Sequence, residues 1–142
     1  MYIIRKKIKF EMGHRLTGAY TKLCKNSHGH SFELELFFRS DKLDEDGFII
    51  DFKLIKDKLK DYIDKWDHCF VISSQMDKEY IDFEKKYNDK IEVVDFNPTA
   101  ENMVKNMYDY IKIQFPCLWK VRLHETDTGY AEYYEDEKCC KG

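Results

Sequence analysis

Two long stretches of alternating side chains constrain this chain most, because each of them runs into histidine. In the first, Ile8, Phe10, Met12 and His14 alternate with Lys7, Lys9, Glu11 and Gly13. In the second, His28 and His30 lead into Phe32, Leu34, Leu36 and Phe38, while Ser31, Glu33, Phe37 and Arg39 take the other positions. A period of two marks a strand with one buried face, since successive side chains point to opposite sides. All three imidazoles therefore extend the apolar faces of strands expected over 2–12 and 30–39. Strands joined by a connection of this length can lie antiparallel as neighbours, which brings their histidine-bearing ends together. Gly29, between two of the histidines, leaves the backbone uncrowded near a bound ion.

Three histidines with an open fourth position make a catalytic zinc site, whereas structural zinc is usually closed by four ligands, mostly thiolates. The competing reading is three unrelated polar residues at strand ends, and for one histidine it would be preferred. Cys24, four residues before His28, favours the metal reading for the set. A thiol near such a cation ionises more easily and can act as a base on a substrate held there. Asp67 beside His68 is a second candidate proton-transfer unit, although the dipeptide alone reads as an exposed helix end.

The rest of the chain supplies a frame for these residues. Asp51 is a good N-cap for a helix whose buried face is Leu54, Ile55, Leu59, Tyr62, Ile63 and Trp66. A second helix carries Met103, Val104, Met107, Tyr108, Ile111 and Phe115 and stops at Pro116. Its start is either Asn97 with Pro98 at the first helical position, or Thr99 as the cap. Thr99 and Glu101 are ordinary helix-start residues by themselves. Between the helices, 69–72 reads as a short strand and 91–96 as an apolar run. Tyr80, Ile81, Phe83 and Tyr87 read as the inner side of a short helix. Trp119, Val121, Leu123 and Glu125 share one face of a further strand, so Glu125 extends a buried register. A carboxylate there must be paired or must serve a ligand, because burying it alone is costly.

Composition narrows the classes. A chain of 142 residues suits a single domain over 1–142, with a flexible tail expected over 136–142. Lys plus Arg is 24 against 27 for Asp plus Glu, a net charge of -3, so the basic excess of a nucleic-acid surface is missing. No apolar run reaches membrane-spanning length, and the N-terminal residues lack a signal-peptide pattern. Five cysteines, an odd number, point to reduced thiols and a cytoplasmic location.

The order of the motifs adds a resemblance. His14, Cys24-x-x-x-His28-Gly29-His30, the run from Gly47 to Phe52, Asp67-His68, Asn97-Pro98-Thr99-Ala100-Glu101-Asn102 and Glu125-Thr126 together resemble the 6-pyruvoyltetrahydropterin / 6-carboxytetrahydropterin synthase family. The resemblance runs over nearly the whole chain. It implies an α+β tunnelling fold: a four-stranded antiparallel sheet with two helices inserted between strands two and three. It also implies closure of several copies into an oligomeric barrel, a homohexamer made as a dimer of trimers. His14, His28 and His30 would bind Zn²⁺, Cys24 would be the catalytic thiol, and Asp67 and His68 would arrive from a neighbouring subunit. Glu125 would anchor the pterin edge, with Thr99 and Glu101 nearby.

The short Cys24-to-His28 spacer is that of the bacterial 6-carboxytetrahydropterin synthases of 7-deazaguanine and queuosine synthesis. The resemblance thus implies a carbon–carbon lyase acting on 7,8-dihydroneopterin triphosphate; Arg15, Lys22 and Lys25 are candidates for the triphosphate by position alone. The 6-pyruvoyl-forming enzyme and a pterin- or metal-binding module without turnover are the alternatives. A zinc hydrolase would need a carboxylate base beside the ligands, and Glu11 is in the wrong register. Met12-Gly13 departs from the family's usual alanine pair, and the stretch 69–95 is longer than in compact members.

Overall fold

The two alternating stretches form one long hairpin, β1 (Tyr2–His14) and β2 (His28–Ser40). They pair antiparallel over their whole length, with Met12 opposite His30 and His14 opposite His28. The structure, a computed structural model, describes residues 1–19 and 21–136. The expected tail lies, beyond Asp136, outside the described residues.

After β2 come α1 (Phe52–Trp66), β3 (Cys69–Ser73), α2 (Lys78–Tyr87), β4 (Ile91–Val94), α3 (Ala100–Gln114), β5 (Leu118–Thr126) and β6 (Gly129–Tyr134). The strands make a six-stranded sheet in the order β4-β3-β1-β2-β5-β6. Four of them, β1, β2, β5 and β6, are antiparallel neighbours as expected. The sheet as a whole is nevertheless mixed, not a four-stranded antiparallel one. β3 joins β1 in parallel over Met12–His14, and β4 joins β3 in parallel. The cause is the long stretch 69–95. Two short apolar runs connected by a helix satisfy the requirement of a parallel pair for a crossover connection. The inserted helices therefore number three, not two.

Capping follows the residues. The Asp51 carboxylate accepts from the Lys53 amide at 2.7 Å, and Thr99 Oγ1 accepts from Asn102 at 3.3 Å, so Thr99 is the cap of α3. The α3 stripe is buried as read, together with Phe115. In α1 the stripe is Ile55, Leu59, Tyr62, Ile63 and Trp66, whereas Leu54 is 46% exposed. In α2 only Tyr80 and Ile81 of the expected inner side are partly buried, and Phe83 and Tyr87 face solvent. On β5 a bulge opposite Phe37 and Phe38 shifts the register, so Leu118 and not Trp119 continues the buried row of Val121 and Leu123.

α1 and α3 cover one face of the sheet, and the core lies between, built on Phe10, Met12, Phe32, Leu34, Leu36, Phe38, Val121 and Leu123. The opposite face is a charge ladder. Lys7, Glu35, Arg122 and Glu132 stand in register across β1, β2, β5 and β6. Arg5 and His124 reach Glu35 at 2.9 and 2.8 Å, which leaves its carboxylate 3% exposed.

Candidate active site

The hairpin register decides the geometry at its open end. His14 lies opposite His28, and His30 sits two residues further along the same face of β2. β5, next to β2, brings Glu125 to the same place. The Nε2 atoms of His14 and His28 lie 3.0 Å apart, and one carboxylate oxygen of Glu125 lies 3.2 Å from His14 Nε2 and 3.3 Å from His30 Nε2. One donor atom from each of these four residues falls within 4.8 Å of all the others.

Two backbone carbonyls orient the rings. His14 Nδ1 donates to the Pro98 carbonyl at 2.8 Å, and His28 Nδ1 donates to the Asn26 carbonyl at 2.6 Å. With Nδ1 carrying the proton, each neutral ring offers its Nε2 lone pair to the centre of the cluster. This is the outer arrangement that fixes a metal-ligating histidine. Lone pairs at that separation repel unless a cation lies among them. His30 Nε2 is buried and has no hydrogen-bond partner among the described residues. Burial holds His30 below the ordinary histidine pKa, against the pull of Glu125, and the two neighbouring imidazoles lower it further. The contact with His14 keeps Glu125 below the usual carboxylate range despite partial burial. A neutral imidazole set beside an ionised carboxylate fits a divalent cation.

A second group, Glu33, Glu35 and His124, has the same donor types within the same span. There Arg5 and Arg122 already neutralise Glu35, and Lys7 holds Glu33 at 2.8 Å. Guanidinium and ammonium groups occupy the positions a metal would need.

Cys24 lies in an exposed 3₁₀ turn, Leu23–Lys25, outside the His/Glu cluster. It lines a cavity of ≈ 560 Å³ with Gly18, Thr21, Thr99 and Glu101. Thr99 and Glu101 thus line the same cavity as Cys24. Asn97 fixes the rim of this cavity, since its side chain accepts from the Thr17 amide at 2.8 Å and donates to the Gly18 carbonyl at 3.3 Å.

Asp67 and His68 are elsewhere. Asp67 is the C-cap of α1, and His68 follows it at φ 57, a left-handed conformation that costs a residue with a side chain about 1–2 kcal/mol. Three contacts hold that bend: His68 N–H to the Glu11 carbonyl at 2.6 Å, Glu11 N–H to Asp67 at 2.8 Å, and Asp67 to His68 Nδ1 at 3.0 Å. The Glu11 amide is the main reason that the Asp67 carboxyl titrates below its usual range. His68 lines a different cavity, ≈ 580 Å³, with Glu11, Gly13, Gly29, Phe70 and Asn88, and His30 of the cluster forms part of its wall. Within one chain Cys24 and His68 thus line two different cavities.

Comparison with known proteins gives the family and the fold. The sequence profile of the 6-pyruvoyl tetrahydropterin synthase family matches residues 3–136. The chain belongs to that family. The family is one of lyases in pterin metabolism. A relative from Aquifex aeolicus named 6-carboxy-5,6,7,8-tetrahydropterin synthase is 38% identical, over 94% of this chain and 98% of its own. One of the same name from Rickettsia felis is 36% identical, over 89% and 96%. Among solved structures, an uncharacterised protein from Wolinella succinogenes superposes with a TM-score of 0.80 at 22% identity, covering 95% of this chain and 98% of that one. The 6-pyruvoyl tetrahydropterin synthase of Caenorhabditis elegans gives 0.69 at 21%, covering 95% and 96%. These likenesses establish the tunnelling fold of the 6-pyruvoyl tetrahydropterin synthases for the chain, whose sheet includes the parallel β3-α2-β4 unit.

Sequence reasoning did not find the Pro98 and Asn26 carbonyls, because a carbonyl acceptor has no residue signature. Asn97 was visible only as a possible cap. Its side chain serves the loop after β1 instead.

Proposed function

We propose that the protein is a zinc-dependent 6-carboxy-5,6,7,8-tetrahydropterin synthase of 7-deazaguanine and queuosine synthesis. In this reading it converts 7,8-dihydroneopterin triphosphate and water to 6-carboxytetrahydropterin, acetaldehyde and triphosphate, as a carbon–carbon lyase. The observation that carries the proposal is the convergence of His14, His28 and His30 with two rings held by carbonyls, while Cys24 stays outside the cluster. A donor set with a free thiol nearby supports a catalytic centre over a closed structural one. The names of the relatives and the short Cys24-to-His28 spacer support the carboxy branch.

The bound ion supplies Lewis-acid polarisation of substrate oxygens. The chain's own residues do the rest. Cys24 takes a proton from the pterin side chain, and the Asp67-oriented His68 of a neighbouring copy carries a proton on the other side. Glu125 accepts from the N–H edge of the pterin, and Thr99 and Glu101 line the wall beside Cys24. The different cavities of Cys24 and His68 support a site shared between copies. Sheet edges point the same way, since β3 covers β1 only over Met12–His14 and no strand among the described residues pairs the outer side of β6.

The 6-pyruvoyl product is the second reading, favoured by the description of the family profile. Incubation of the zinc-loaded protein with 7,8-dihydroneopterin triphosphate, followed by mass analysis, separates the two. Release of acetaldehyde with a 6-carboxypterin product is expected. A pyruvoyl product with no acetaldehyde would replace the carboxy reading, and intact substrate would remove both.

A further inference from the structure

Two apolar features of this chain face solvent without a covering layer. Leu23 is 79% exposed at the start of the turn that carries Cys24. α2 has no fully buried residue, and residues four apart place Glu79, Phe83 and Tyr87 on one strip of it. The Phe83 and Tyr87 side chains are 55% and 64% exposed, with ring centroids 4.8 Å apart. A paired aromatic strip on a helix that buries little of itself is a surface waiting for an apolar knob.

We infer that α2 of one copy of this chain docks on the Cys24 turn of another, with Leu23 seated on the Phe83–Tyr87 strip.

Position argues for a second copy as the occupant, an argument that rests on the shared-site reading proposed above. Each feature lies beside a different half of the divided site. Leu23 adjoins Cys24 in the chain. Tyr87 adjoins Asn88, which lines the same groove as His68. One contact between Leu23 and the strip would therefore bring the thiol of one copy towards the imidazole of the other. Charge agrees with this. Lys22 and Lys25 flank Leu23, while Glu79 lies on the strip and Asp89 just beyond its end, all four exposed. Of the three lysines on α2, Lys78 is taken up by Asp82, Lys86 rests its ammonium over the Tyr87 ring at 5.2 Å, and Lys85, off the strip, faces solvent. The groove floor also suits close approach. Gly13 and Gly29 are cross-strand partners there, and a Cβ on Gly29 would sit 3.3 Å from the Met12 carbonyl oxygen. The contact is head-to-tail, so copies related by rotation can close it into a ring. The β3-α2-β4 unit would then be an assembly element.

Phe83→Asp is the main probe, since Phe83 is exposed in one chain and outside the catalytic set. We expect its folded secondary structure and metal content to match the parent, its sedimentation to shift to smaller species, and its turnover at micromolar protein to fall about tenfold or more. Contact itself is read by mixing Phe83→Cys chains with chains carrying Leu23→Cys and Cys24→Ala. Mild oxidation should give a covalent pair whose mapped disulfide joins 23 to 83. A Phe83→Asp protein that assembles and turns over like the parent would overturn the inference, as would an assembled mixture with no 23–83 link. Failure of the pterin assay is separable, because the sedimentation shift and the disulfide are read without substrate. Assembly through this contact without any pterin product would remove the proposed reaction and leave the interface standing.

Discussion

At the scale of single residues, the pattern of donors at the hairpin end makes distinct expectations for each side chain. Substituting His28 or His30 by alanine removes one of the few bonds available to the ion, and both variants should be purified with little or no zinc. Full occupancy in both, measured by elemental analysis, would show that the cluster is not the metal site. Cys24→Ala should keep its zinc and its affinity for a pterin while losing turnover by about 100-fold or more, the scale of a lost general base. Loss of metal in that variant would make the thiol a ligand. Glu125→Gln separates two roles, because the carboxylate stands within 3.3 Å of two histidines as well as at the expected pterin edge. Weaker pterin binding at unchanged zinc is expected, and loss of zinc would assign the carboxylate to the ion. The histidines and Glu125 were legible in the sequence because period-two alternation fixes the face on which each one lies, whereas Cys24 was marked by its spacing from His28. What fixes the tautomers was not legible, since it depends on where the carbonyls of Pro98 and Asn26 fall after folding.

At the scale of elements, the strands and the two long helices follow their patterns, and the departures have local causes. The unit 69–95 was hard to read because its strands are short and α2 is amphipathic in sequence but buries only one flank. A bulge, which inserts one residue into a register, moved Trp119 off the core row. The charge ladder on the uncovered face was also partly hidden, because Glu35 looks like a solvent-facing residue and is closed over by longer neighbours. Its carboxyl is desolvated, which would raise its pKa, but hydrogen bonding from His124 and the nearby Arg122 and Arg5 hold it below the ordinary 4.5. A folded pKa below the unfolded one means that the unfolded state binds the proton more readily. The stabilisation is then present above about pH 4.5 and is lost as pH falls through the depressed folded value. Glu35→Gln should accordingly be less stable than the parent at neutral pH, by about 1–3 kcal/mol for a charge-assisted network deprived of its acceptor. The gap should narrow as the solution is acidified below about pH 4.5. Urea denaturation at pH 7 and pH 3.5 measures it, and an equal gap at both would show that the pairing contributes nothing.

At the scale of the whole molecule, the question is whether one chain is enough. Cys24 and His68 line separate cavities, and both Asp67 and His68 are committed to the bend at the end of α1. Rearranging the chain to bring them to its own thiol would break the three contacts that hold this bend. Bringing in a second chain breaks none of them. The sequence implied such sharing only through family resemblance, because nothing in a one-dimensional pattern says which copy a side chain serves. Sharing has a genetic signature, since Cys24→Ala and His68→Ala damage different halves of each site. Each variant alone should be inactive beyond a small residue. After unfolding and refolding together with zinc, some contacts in the mixture join the intact half of one variant to the intact half of the other. For a two-chain site and random mixing of equal amounts, about a quarter of the sites regain both groups, with affinity for substrate unchanged from the parent. The measurement is the specific activity of the co-refolded mixture, against each variant refolded alone and against the two mixed only after refolding. A mixture that stays inactive although mass analysis shows mixed assemblies, or a parent protein that is fully active while sedimenting as a monomer, would place the whole site within one chain.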